Sequence, residues 1–118
     1  MIKMEKKIMG NESEWERMQI SPHWLDKSRD YYIYARIIKE SDTFWATPYE
    51  GYTVYLLQIK KAYSIEKDCY GVLVSWIQRG HPQYSDCDED QLELFDTAEE
   101  AEKQYNKEVS ELKEKFPV

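Results

Sequence analysis

The chain has 118 residues, 42% hydrophobic and 33% charged, with 16 Lys and Arg against 23 Asp and Glu for a net charge of −7. That is enough chain for one domain around a single core, and no apolar run approaches membrane-spanning length. The charge is uneven: residues 1–80 hold 12 basic and 11 acidic side chains, residues 81–118 hold 4 and 12, so the last third would repel phosphates and direct nucleic-acid binding is not expected.

Residues 1–11 mix Lys and Glu among Met and Ile. They carry no signal-peptide core and read as a flexible tail or an edge strand. Ser13-Glu14-Trp15-Glu16 has capping-box spacing, with Asn11 as an alternative cap. It predicts a short N-terminal helix that carries Trp15 and Met18 and stops before Pro22. Residues 22–30 read as a connection with Trp24 or Leu25 as a buried anchor.

The first strand is predicted over 31–38. Tyr31, Ile33, Ala35 and Ile37 form a core-like face, and Tyr32, Tyr34, Arg36 and Ile38 a half-wet one. Turn residues Glu40-Ser41-Asp42 lead to a short strand over 44–47, closed by Pro48. The segments 52–59 and 70–77 are apolar on both faces and therefore belong in the middle of a sheet. In the second, Tyr70, Val72, Val74 and Trp76 point one way, Leu73 and Ile77 the other. The stretch 60–69 between them is too short for a parallel crossover, so the pair is expected to be antiparallel.

Residues 83–91 read as an acidic loop, and 92–95 as a last strand or the lead-in to a helix. That helix is the clearest element. Thr97-Ala98-Glu99-Glu100 is a capping box, with Asp96 as an alternative cap, and Ala98, Ala101, Tyr105, Val109, Leu112 and Phe116 make one apolar stripe. Glu residues crowd its start, Lys113 and Lys115 its end, and Pro117 stops it. The expected fold class is α+β, a single domain over 1–118. It has an antiparallel β-sheet of three to five strands, a long C-terminal helix packed on one face and a short N-terminal helix. One helix stripe covers one sheet face, so the N-terminal helix, a homodimer partner or a ligand is expected on the other.

Chemistry-bearing patterns are sparse. Asp86, Asp88 and Asp90 open a calcium-loop pattern, but Gln91, Leu94 and Thr97 stand where it needs its glycine, ninth ligand and closing glutamate. Cys69, Cys87, His81 and His23 lack the paired local spacing of a zinc site. Carboxylates around Cys87 are a poor setting for a thiolate, which counts against a nucleophile built on Cys87 and His81. With four glycines there is no phosphate-cradling loop. No catalytic residue, metal or cofactor is expected, and two lone cysteines point to a reduced, cytoplasmic protein.

Ten tyrosines and four tryptophans against three phenylalanines favour rings that meet water or a partner, although β-rich domains enrich aromatics anyway. Binding is therefore the expected work. In the first reading the protein is a protein-interaction module, an inhibitor or modulator of a nucleic-acid-handling partner with a basic surface. Asp86, Asp88, Glu89, Asp90 and Glu93 would meet that surface by imitating phosphate charge. Small, acidic, aromatic-rich and motif-free, the chain resembles in character, not in motif, the antagonists of bacterial defence that phages and mobile elements carry. The alternative is a small-ligand site on a tyrosine-rich sheet face, with Tyr32, Tyr34, Arg36 and Trp76. Tyr32, Tyr34 and Arg36 with Lys60, Lys61 and Arg79 also have the residue types of a single-strand nucleic-acid platform, which the acidic third opposes. A thiol-dependent enzyme ranks last.

Overall fold

The computed structural model describes residues 14–20, 31–62 and 65–117. Among the described residues six strands and one helix follow in chain order: β1 (Glu16–Ile20), β2 (Tyr31–Glu40), β3 (Phe44–Thr47), β4 (Glu50–Ala62), β5 (Ile65–Gln78), β6 (Cys87–Phe95) and α1 (Ala98–Lys115). All pairings are antiparallel, in the order β1-β2-β4-β5-β6, with β3 beside the start of β4. β2 and β3 lie end to end along one edge of β4. Between them Ser41 N donates to the Val54 carbonyl at 2.9 Å, and Ser41 Oγ accepts from Val54 N at 2.8 Å. A side-chain oxygen thus stands in for a missing ladder acceptor.

β4 and β5 are apolar on both sides, as their sequences require, and each side has its own core. On one side Val54, Leu56 and Val72 pack under Ala101 and Tyr105 of α1, with Val74, Phe95, Val109 and Leu112 around them. On the other, Ile33, Ala35, Leu57, Ile59, Cys69 and Leu73 join Ile20, with Met18, Ile37, Tyr55 and Leu92 at the margin. The sheet curls around this second core, and its two edge strands β1 and β6 approach each other. Gly71 permits the curl. A Cβ there would lie 2.8 Å from Ile59 Cδ1 and 3.1 Å from Leu92 Cδ1, so the missing side chain is the space those two fill.

The expected long helix is present in detail. Thr97 caps it, its Oγ1 accepting from Glu100 N at 3.2 Å and donating to Glu100 Oε1 at 3.1 Å. Phe116 closes it, its ring stacked on Tyr52 at 5.7 Å and its N–H bonded to the Leu112 carbonyl. Four expectations are corrected. The described residues form a sheet of six strands where three to five were expected, because β1 and a full-length β6 join it. The segment read as a short N-terminal helix is strand β1 over its described part. Five residues would barely start a helix, whereas pairing with β2 satisfies their backbone and buries Ile20. The acidic 83–91 stretch is loop only to Asp86, because β6 begins at Cys87 and pairs with β5 as far as Phe95. The face away from the helix, for which a separate cover was expected, is enclosed by the curl of the sheet. Residues 1–11 and the Trp24/Leu25 anchor lie outside the described residues.

Candidate functional site

Alternation along β6 separates the predicted acidic set. Asp88, Asp90 and Leu92 face the concave side, where Asp88 and Asp90 line a groove of about 380 Å³ with Glu16, Tyr55 and Ser75. Glu89 and Glu93 stand opposite Trp76 and Val72, on the helix side. Asp86 lies before the strand and accepts from Gly80 N at 2.9 Å. Asp88 Oδ1 is 2.8 Å from Arg79 Nη1. The same Nη1 donates to the carbonyls of Gln78 and Cys87, so Arg79 ties the end of β5 to the start of β6, and the bond to Asp88 pushes its pKa up. These carboxylates also have a plain structural use. β6 is an edge strand, and charge along an edge discourages pairing with another chain.

The concave groove tunes one group strongly. Tyr55 has its pKa pushed up to about 12, first by burial and then by Glu40, Asp90 and Asp88. Its hydroxyl therefore stays a neutral donor among carboxylates. Among the described residues no group of three or more His, Cys, Asp or Glu side chains is placed to hold a metal ion.

The tyrosine-rich set is also divided. Tyr32, Tyr34 and Arg36 stay together on the helix side of β2, beyond the start of α1. Trp15, expected on a short N-terminal helix, stacks on Tyr34 at 5.9 Å and 23°. Arg36 and Lys60 lie over Trp15 at 4.9 and 4.2 Å, and Arg17 over Tyr32 at 3.7 Å. A recess of about 530 Å³ opens here between Arg17, Tyr32, Ile33, Tyr34 and Lys61. Trp76 belongs elsewhere. It pairs with Tyr52, whereas Arg36 pairs with Gln58; six residues of β4 put these rows roughly 20 Å apart. Arg79 is likewise at the far end, tied to β6.

That far end has a groove of its own, which the sequence did not indicate. Tyr52, Val74, Leu112 and Phe116 form an apolar floor of about 530 Å³, rimmed by Glu108, Glu111, Glu114 and Lys115. Glu108 is oriented by Gln104 Nε2 at 2.8 Å. Register adds Trp76 beside Tyr52, and Glu89 beside Trp76. The signal available was the helix itself: Glu108 and Glu111 flank Leu112 at the spacing that puts them along the margin of the buried stripe.

Of the thiol candidates, Cys69 is buried and Cys87 is half-buried at the start of β6. Burial pushes the pKa of Cys69 up, opposed only by Lys67. His81 sits in an aromatic turn between Tyr49 and Tyr84, with ring centroids at 5.0 and 4.5 Å, and its Nδ1 accepts from Gln83 N. Among the described residues no helix is long and apolar enough to cross a membrane. Comparison with protein-family models, curated proteins and solved structures gives no match in any of the three.

Proposed function

We propose that the protein is a non-enzymatic interaction module that docks a basic segment of a protein partner in the groove between the C-terminal half of α1 and strands β4 to β6. The observation that carries this reading is the groove's construction: a floor of Tyr52, Val74, Leu112 and Phe116 inside a rim where Glu108, Glu111 and Glu114 outnumber Lys115. Apolar anchors at the centre with charge at the rim are the arrangement that supplies affinity and steering in protein interfaces. Of the acidic residues singled out from the sequence, Glu89 and Glu93 flank this groove. Asp86, Asp88 and Asp90 lie apart from it, in the turn and on the concave face. The partner is a nucleic-acid-handling protein whose basic surface ordinarily meets phosphate, and the protein acts as its inhibitor or modulator, in the manner of phage and mobile-element antagonists. A reduced cytoplasm fits the two free thiols, Cys69 and Cys87.

The test is titration with a fluorescent arginine-rich peptide carrying one central leucine, at low and high salt. A parallel lysate capture uses the wild type and a Glu108→Arg/Glu111→Arg variant. Saturable peptide binding that weakens with salt, and at least tenfold with the reversed charges, is expected. Phe116→Ala should weaken it as well, by removing the anchor. Peptide binding that is absent at low salt, or indifferent to both changes, would sink the reading.

A further inference from the structure

The opposite end of the helix-bearing face carries the reverse charge. In a chain of net charge −7, Arg17, Arg36, Lys60 and Lys61 gather on the adjoining strands β1, β2 and β4. Carboxylates border this side as well: Glu66 stands opposite Lys61 and Asp68 follows it on β5, Glu14 adjoins Trp15, and Glu16 lines the concave groove instead.

The two lysines share a face because the strand is bulged. Tyr34 pairs with Lys61 and Ala35 with Ile59, which leaves Lys60 as an extra residue. Lys60 lies over Trp15, and Lys61 lines the recess with Tyr32 and Tyr34. Without the bulge one of these consecutive lysines would point into the core that holds Ile59 and Ala62. Bulges recur where a sheet must re-aim a side chain.

The rings are arranged to stack. Trp15 and Tyr34 are already a stacked pair, and Tyr34 remains 41% exposed. The Arg17 guanidinium over Tyr32 adds a planar cation. α1 leaves this area open, since it begins after Phe95, level with Tyr70, and runs away toward Tyr52. Planar groups beside a strip of cations hold bases by stacking and phosphates by charge, with little sequence preference. An acidic peptide would use the cations and leave the rings idle. A duplex would hide its bases. The first turn of α1 begins level with Arg36, but the carboxylates of the acidic groove, Glu108, Glu111 and Glu114, lie beside Tyr52 and stand roughly 20 Å away along β4. That is beyond the Debye length of about 8 Å at physiological ionic strength.

We propose that the face formed by Trp15, Arg17, Tyr32, Tyr34, Lys60 and Lys61 binds single-stranded nucleic acid without sequence preference. It is independent of the acidic groove. The test is fluorescence anisotropy with labelled oligothymidine and oligodeoxyadenosine, with a duplex of equal length and thymidine monophosphate as competitors. Both single strands should bind. The logarithm of affinity should fall against that of salt with a slope of roughly −2, from three cations at about −0.7 each. Lys60→Ala/Lys61→Ala and, separately, Tyr34→Ala should each weaken binding roughly tenfold, while Glu108→Arg/Glu111→Arg leaves it at least as tight. The lysines are exposed, so their removal keeps the test valid if Tyr34→Ala disturbs Trp15. Absence of saturable binding at low salt overturns the proposal. So does equal competition by duplex or by the mononucleotide, or indifference to the lysine pair.

Discussion

Two tyrosines hold an alkaline limit on stability. Tyr55 in the concave groove and Tyr105 beneath the helix both have pKa values pushed up to about 12, mainly by burial. In the unfolded chain they ionise near about 10. Their contribution is therefore complete below pH 10 and is lost as pH rises toward 12, because only the unfolded state releases the protons easily. Urea unfolding across that window should give falling stability in the wild type and a shallower fall in Tyr55→Phe/Tyr105→Phe; an identical fall would refute the assignment. Gly71 sets a steric limit instead. Gly71→Val must displace Ile59 or Leu92, and should cost about 1–3 kcal/mol in the same measurement. Gly80, at φ 68°, is needed for its backbone, as it turns the chain out of β5.

For single elements, α1 depends on its cap. Thr97→Ala loses both bonds to Glu100 and should destabilise the fold by about 1 kcal/mol, with Thr97→Ser close to wild type in denaturant titration. The edge strand β6 depends on its charges. Glu89→Val/Glu93→Val should let β6 pair with a second copy, seen as concentration-dependent mass in sedimentation; a monomer at all concentrations would show that the edge is guarded by shape instead. These elements differ in how plainly the sequence announced them. α1 and the cores of β2, β4 and β5 were legible because long periodic segments repeat the same signal several times. β1 is only five residues, and a chance Ser13–Glu16 spacing outweighed the alternation of Met18 and Ile20 with Arg17 and Gln19. β6 was obscured by propensity, since Asp and Glu are poor strand formers. An edge tolerates them, and its alternation sends Asp88 and Asp90 to one face and Glu89 and Glu93 to the other. The grouping of Trp15 with Tyr34, and the separation of Trp76 from both, depend on inter-strand register, which one strand's sequence does not encode.

Across the whole molecule, a net charge of −7 conceals two ends of opposite sign on one face, and local fields, not the total, govern what each end attracts. The order of the sheet has a separate consequence. β1 with β2, β3 with β4, β4 with β5 and β5 with β6 are neighbours in the chain as well as in the sheet, and β2 reaches β4 past only the short β3, so the sheet can grow by pairings close in the chain. Such near-neighbour topology favours rapid assembly. The paired lengths of β4 and β5, joined by only two residues, form the natural nucleus, with α1 docking afterwards. In stopped-flow experiments Leu57→Ala should chiefly slow refolding, and Leu112→Ala should chiefly hasten unfolding. The helix would then be the last part to arrive and the first to leave, so the lifetime of the groove beneath it would be set by undocking of α1, ahead of any melting of the sheet.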